Sequence, residues 1–174
     1  MKQMPWIERR FDFGKPPSLF PGLIERLRGT PARVEDRVRR FPPAVLRARE
    51  GTTWSVQENV GHLIEVESLW FRRLDDYAAG REMLRAADME NRSTKQASYN
   101  DREIGEILSG FRDIRRRLVE RLEALDDAAI ERSSHHPRLN RPMRVIDMVE
   151  FVAEHDDHHL VRISELIRAF GAAE

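Results

Sequence analysis

PMRVIDMVEFVAEHDDHHLVRISELIRAFG, from Pro142 to Gly171, decides the fold of this chain. Val145, Met148, Val149, Val152, Ile163, Leu166 and Phe170 recur in it at intervals of three and four residues, the pattern of a helix with one apolar face. His155 and His159 fall in the same series, between Val152 and Ile163. Two histidines thus interrupt an apolar stripe in mid-helix. They stand one turn apart on one face, where both imidazoles can close on a single metal ion. His158 lies about 100° around the helix from His159 and is expected outward or on the flank. Asp156 sits nearer the edge of the site. It is a candidate partner for the second ring nitrogen of a metal-bound imidazole.

Three more helical segments precede this one. The first runs from about Pro21 to Arg40 on Leu23, Ile24, Leu27, Val34 and Val38, with Gly29-Thr30-Pro31 inside it. That tripeptide predicts a break, Thr30 capping a new start and Pro31 taking its first position. The second begins at Ser55, whose hydroxyl and the Glu58 carboxylate have capping-box spacing, and ends near Ala79 at Gly80. Residues 81–100 form a long crossover, a length that in a compact domain usually serves function. The third helix starts near Asn100 or Asp101 and carries Ile104, Ile107, Leu108, Phe111, Ile114, Leu118, Leu122 and Leu125. Residues 126–141 read as a second loop. Residues 1–19, with Pro5, Gly14, Pro16 and Pro17, read as irregular, their Trp6, Phe11 and Phe13 covering part of the core. No period-two alternation competes. The expected fold is all-α: one domain over residues 1–174, a four-helix bundle with a long crossover between helices two and three.

A third imidazole is available from His62, at the edge of the apolar face formed by Val56, Val60, Leu63, Trp70 and Leu74. Three histidines on one ion leave coordination positions open, the arrangement of a catalytic metal. The alternative is a set of buried histidines, each hydrogen-bonded elsewhere. Glu67 lies within the same apolar face, so its carboxylate must be paired. It either orients a ligand or binds an arginine. Asn91, Thr94, Tyr99 and Asn100 lie on or beside the crossover and are candidate pocket residues. His135 and His136 occupy the second loop, from which one could reach the pocket mouth. Arg138 and Arg144 are candidates to hold an anionic substrate.

Composition removes several classes. Lys plus Arg is 30 and Asp plus Glu is 30, a formal net charge of zero, which argues against nucleic acid and membrane surfaces as partners. Cysteine is absent, so no protein thiol serves as nucleophile, redox centre or ligand. Any sulfur chemistry needs a bound small molecule. The N-terminus lacks the apolar region of a signal peptide, and no apolar run reaches the roughly 18 residues of a membrane span. A cytoplasmic protein is expected. The His-Glu-x-x-His of zincin peptidases, the paired Glu-x-x-His of di-iron bundles and a phosphate-cradling glycine loop are all missing from the sequence.

Trp54-Ser-Val-Gln-Glu-Asn-Val-Gly-His62-Leu and His155-Asp-Asp-His-His159-Leu-Val-Arg-Ile163, with His136-Pro-Arg-Leu-Asn-Arg-Pro-Met143 between them, resemble the DinB/YfiT-like metalloenzyme family. The similarity runs from about residue 20 to 170. Its specificity lies in the combination of one histidine early in helix two and His-x-x-x-His in helix four. The resemblance implies a four-helix bundle with a long crossover, frequently dimeric. It implies a divalent metal, zinc or nickel being typical, held by His62, His155 and His159. Characterised members of that family include transferases and an isomerase that use a low-molecular-weight thiol.

Two functions follow as expectations. One is a metal-dependent enzyme on a small molecule, a transferase using such a thiol or else a hydrolase. The other is a non-catalytic, stress-associated protein whose metal ties helix two to helix four. A homodimer is expected from the resemblance and from the apolar residues crowded on helix three.

Overall fold

The structure is a computed structural model that describes residues 3–171. Four long helices form the bundle, and the short elements between them decide what the bundle presents. The first, α1 (Phe20–Val38), is followed by a short α2 (Pro43–Arg47) and by α3 (Val56–Ala78). The crossover holds α4 (Arg92–Gln96) and a 3-10 turn at Tyr99–Asp101 before α5 (Ile104–Glu123). A single turn, α6 (Asp127–Ile130), then leads into β1 (Ser133–His136) and β2 (Arg141–Arg144), and α7 (Val145–Phe170) closes the chain. Around the bundle α1 packs on α5 and α7, and α3 packs on the same two, so α1 faces α3 across the core.

The capping box at the start of α3 is present. The Glu58 N–H donates to Ser55 Oγ at 3.1 Å, and the Ser55 N–H donates to Glu58 Oε2 at 2.9 Å. Past its end Gly80 has φ +63°, a left-handed conformation that glycine adopts without a side-chain clash. The start of α7 is held by Asp147, whose carboxylate accepts the Arg144 N–H at 2.9 Å and the Gly14 N–H at 3.0 Å.

Four features differ from expectation. The first helix does not break at Gly29-Thr30-Pro31, because α1 runs straight through Pro31. Proline has no N–H to offer the carbonyl four residues back. That carbonyl belongs to Leu27, and Arg115 of α5 donates to it instead, at 3.3 Å. A tertiary contact thus replaces the lost helical bond. Secondly, the second loop is not without strands. β1 and β2 pair antiparallel with Ser133 opposite Arg144 and His136 opposite Arg141, and Asn140 turns the chain at φ +49°. Four-residue strands are too short to show in periodicity, and pairing supplies their order. Thirdly, the fourth helix starts at Val145 rather than near Pro142, since residues 141–144 belong to β2. The third starts at Ile104, after the 3-10 turn.

Each long helix places buried polar residues at the same level of the bundle. On α1 Thr30 lies between Leu27 and Val34; on α3 Glu67 lies between Leu63 and Trp70. On α5 Arg115 lies between Phe111 and Leu118. On α7 His155, Asp156 and His159 lie between Val152 and Leu160. The apolar residues on either side belong to two separate core clusters. A buried polar layer therefore cuts across the bundle and divides its core.

Arg115 is the hub of that layer. It is 1 % exposed and reaches all three other helices. It donates to Leu27 O on α1, to Glu67 Oε1 on α3 at 2.7 Å, and to both carboxylate oxygens of Asp156 on α7. Thr30 completes the network by donating to Asp156 Oδ2 at 2.7 Å. Burial opposes the charge on Arg115, but Asp156 and Glu67 outweigh it and hold the guanidinium well above its ordinary pKa. Burial pushes the Glu67 carboxyl up to about 7 against the pull of Arg115.

The residues crowded on helix three are used internally. Ile107, Phe111, Leu118 and Leu122 are buried, and Ile104, Leu108 and Ile114 pack against the core. Trp6, Phe11 and Phe13 of the N-terminal segment pack on the other cluster, as the sequence suggests. Among the described residues no helix is long and apolar enough to cross a membrane.

Candidate metal centre

His62, on the second turn of α3, meets His155 and His159 on α7. One ring nitrogen from each lies within 4.8 Å of the others. The ring centroids are 4.6 Å apart for His155 and His159, 4.8 Å for His62 and His159, and 5.3 Å for His62 and His155. His62, placed by the helical wheel at the edge of its face, is only 5 % exposed, because the crossover covers it.

What covers it begins with Gly61. A Cβ at that position would stand 2.2 Å from the Tyr99 ring. The absent side chain lets the crossover lie flat on α3. Gln57 Nε2 then donates to the carbonyls of Tyr99 and Arg102, both at 2.6 Å, and the Tyr99 hydroxyl donates to Glu65 at 2.6 Å. Held this way, α4 delivers Thr94 Oγ1 to His62 Nδ1 at 3.0 Å.

His159 is oriented similarly by Asn59, whose Oδ1 lies 2.8 Å from His159 Nδ1. The Asn59 amide is itself fixed, because its Nδ2 donates to the Ser55 carbonyl at 2.7 Å. Its oxygen must therefore face the imidazole, Nδ1 of His159 must carry the proton, and the Nε2 lone pair is free. Thr94 engages His62 through the same ring atom, and its hydroxyl can accept from Nδ1 when Nε2 serves as ligand. Such partners fix ring orientation in metal sites.

Burial holds all three rings neutral. It lowers the His62 pKa to about 4. His155 and His159 are held well below their ordinary value by burial first, then by the neighbouring imidazoles. Neutral imidazole is the ligand form. His155 Nδ1 is buried with no hydrogen-bond partner among the described residues. An orphaned buried nitrogen costs about 1–3 kcal/mol. Three neutral imidazoles, each with one nitrogen within 4.8 Å of the others, are a donor set that fits a divalent metal ion.

Aromatic rings wall the site. Trp54 lies 4.7 Å from His62 and 6.3 Å from His159, and Trp6 lies 5.1 Å from His155, centroid to centroid. A cavity of about 380 Å³ reaches His159, lined by Thr53, Trp54, Asn59, His158 and Arg162. His158 stays outside the trio. It is half-buried against Trp6, on the flank where the helical wheel puts it.

The other candidates divide. Glu67 and Asp156 both bind Arg115, and in this structure neither touches an imidazole. They stand behind the histidines in the polar layer. Asn91 is half-buried at φ +52°, where it starts α4; the residue of that helix that reaches the site is Thr94, three positions on. Asn100 accepts from the Ser55 hydroxyl at 2.7 Å. Arg144 is spent on Asp147 at the start of α7. Sequence reasoning missed Asn59 and Arg115, and both left a trace. Asn59 is three residues before His62, on the same side of its helix. Arg115 interrupts the stripe Phe111, Leu118, Leu122 as Glu67 interrupts its own.

Residues 26–163, most of the chain, match the sequence pattern of the DinB superfamily. The chain belongs to the DinB superfamily. Among solved structures of this fold, YfiT from Bacillus subtilis, a probable metal-dependent hydrolase with an unusual four-helix bundle topology, superposes with a TM-score of 0.80 at 18% identity over 94% of each chain. The colibactin self-resistance protein ClbS, solved in complex with a double-stranded DNA, gives 0.69 at 16% identity, covering 88% of this chain and 98% of its own. At such identities the likeness is one of fold. No curated protein matches the sequence. The expected all-α four-helix bundle is thus a fold shared with YfiT.

Proposed function

We propose that this DinB-superfamily chain is a metal-dependent enzyme acting on a small molecule, with His62, His155 and His159 holding one divalent ion, zinc or nickel. The observation that carries this is the convergence of three buried, neutral imidazoles beside an open cavity. Bound there, the ion supplies Lewis acidity and lowers the pKa of a water or thiol that it binds. Three uncharged ligands leave its double positive charge uncompensated, which favours an anionic fourth partner.

The residues of the chain do the rest. Asn59 holds His159 in the ligand tautomer, and Thr94 orients the His62 ring. Trp54 and Trp6 shield the rings from bulk water. Glu67 and Asp156 are committed to Arg115, so among the described residues no carboxylate joins the cluster of imidazole nitrogens. That favours a nucleophile already ionised, the thiolate of a low-molecular-weight thiol, and a transferase reaction. The lack of cysteine means that the thiol comes from outside the chain. Hydrolysis by a bound hydroxide is the second reading, favoured by the fold shared with YfiT. A cobalt-substituted sample separates the two. Under transfer its absorption changes with excess thiol, and this response is lost in His159→Ala. A response to azide alone selects hydrolysis. No response to either leaves a structural metal.

The balanced charge supports a small-molecule substrate over nucleic acid. A cytoplasmic location and a homodimer are proposed with it, the dimer on the family resemblance, since the apolar face of α5 is already buried within one chain. Light scattering at micromolar concentration should give twice the mass of one 20.4 kDa chain. A value equal to one chain rules the dimer out.

A further inference from the structure

Beside the histidine centre lies a second group of buried polar atoms without partners. Trp70 Nε1, His136 Nε2 and Arg138 Nη2 are each buried and make no hydrogen bond among the described residues. All three are donors. Indole and guanidinium nitrogens only donate. For His136 the tautomer is decided by Leu139, whose backbone N–H donates to His136 Nδ1 at 3.2 Å, which leaves the ring proton on Nε2. Burial, with Arg73 and Arg138 near, lowers the His136 pKa to about 3, so the ring is neutral.

The three groups surround one side chain. From the Phe151 ring centroid, the His136 ring is 5.5 Å away, the Trp70 ring 6.1 Å and the Arg138 guanidinium carbon 5.8 Å. Arg73, 1 % exposed, lies 5.5 Å above the Trp70 ring and gives Nε and Nη2 to the neutral carbonyl of Arg85. The nearby carboxylate of Asp76 is shared by Arg85 and Arg81. The region therefore holds buried positive charge and three donors that meet no acceptor among the described residues.

The scaffold that positions them is rigid. β1 is tied to the crossover, the His135 N–H donating to the Glu82 carbonyl at 2.7 Å and the Leu84 N–H to the His135 carbonyl at 3.0 Å. The Tyr77 hydroxyl of α3 donates to the Met143 carbonyl on β2 at 3.1 Å. A buried donor left unsatisfied costs about 1–3 kcal/mol, and three together with unpaired positive charge call for an anion. A carboxylate has two oxygens and about four acceptor positions, enough for all three donors.

We propose that Trp70 Nε1, His136 Nε2 and Arg138 Nη2 form a binding site for a carboxylate of the substrate. The site lies one turn of α7 before His155, whose ring is 6.1 Å from that of Trp70. A substrate held there presents its remaining atoms to the three histidines. This assignment of substrate class rests on the metal-enzyme reading; the anion site itself does not.

Nuclear magnetic resonance separates the two. The chain has three tryptophans, hence three indole N–H signals, and Trp70→Phe identifies one. Formate is exchanged for chloride at constant ionic strength, on chelator-treated and on zinc-loaded protein. The Trp70 signal is expected to shift saturably in both samples while those of Trp6 and Trp54 stay. In Arg138→Met the affinity should fall at least about tenfold, the loss of one charge-assisted bond. Arg138→Lys, retaining charge without the fork, should fall between. The other two indole signals report that each variant is folded. No saturable shift, or equal affinity in Arg138→Met, overturns the site. A shift that needs zinc and disappears in His159→Ala places formate on the metal, overturning the donor site and leaving the metal centre standing. A shift that persists in a protein that binds no zinc leaves the donor site standing and removes the metal.

Discussion

At the scale of single residues, the centre depends on which nitrogens are free. His62 and His159 are each bonded through Nδ1, and His155 Nδ1 has no partner. His155→Ala or His159→Ala should remove the bound metal, read by elemental analysis, while circular dichroism keeps most of its helical signal. His158→Ala should retain the metal, because that ring lies on the flank against Trp6. Full metal content in a His155→Ala, His159→Ala double variant would sink the assignment. Asn59→Ala should weaken metal affinity about 10–100-fold without removing a ligand, the usual effect of losing the group that orients a ligating imidazole. Unaltered affinity in a competition titration would show that Asn59 orients nothing that matters.

At the scale of elements, the crossover is the lid of the site, and Gly61 is why it closes. Any side chain there meets the Tyr99 ring. Gly61→Ala must push the crossover off α3, carrying Thr94 away from His62 and loosening the two bonds from Gln57. The expected result is a loss of about 1–3 kcal/mol of stability, as for overpacking. Faster proteolysis between residues 81 and 100, and weaker metal binding, should accompany it. Wild-type proteolysis in the variant would mean that the crossover does not rest on this contact. The first helix teaches a related lesson. Thr30-Pro31 has the local chemistry of a helix start, and it lies in mid-helix because Arg115 takes the carbonyl that proline leaves free.

At the scale of the whole molecule, the polar layer sets the response to acid. The site imidazoles and His136 are neutral when folded, His62 with a pKa of about 4 and His136 about 3, whereas unfolded histidines take up protons near 6.5. Between those values the unfolded chain binds more protons, so stability falls as pH drops below 6.5. Glu67 acts in the opposite sense. Its folded pKa of about 7 exceeds its unfolded 4.5, so the folded chain gains its proton first on acidification. Four buried imidazoles outweigh one carboxyl. The melting temperature of the metal-free protein should therefore fall steadily from pH 7 to pH 5, each uncompensated proton contributing about 1.4 kcal/mol per pH unit. Metal-loaded protein should melt higher throughout and release its metal at the acid end, where protons compete for the same nitrogens. A melting temperature flat across that range would mean that these rings are not held neutral by the fold.

The four long helices, the Ser55 capping box, the stop at Gly80 and the placing of His155 and His159 on one face were all legible in the sequence, because each depends on residues within one or two turns. The helical period and the caps are local physics. Glu67 was legible as a buried charge in need of a partner, since an apolar stripe with a carboxylate in it admits no other reading. The partner was not. Arg115 lies 48 residues away in sequence, and only packing brings it to Glu67 and Asp156. Nor could periodicity show that His62 is covered and oriented by Thr94, that Asn59 selects the tautomer of His159, or that Pro31 is tolerated. The four-residue strands and the donor cluster around Phe151 are likewise products of assembly. Local sequence decides which face of a helix is apolar. Which face it meets, and which buried polar atom is left without a partner, is decided only when all four helices share one core.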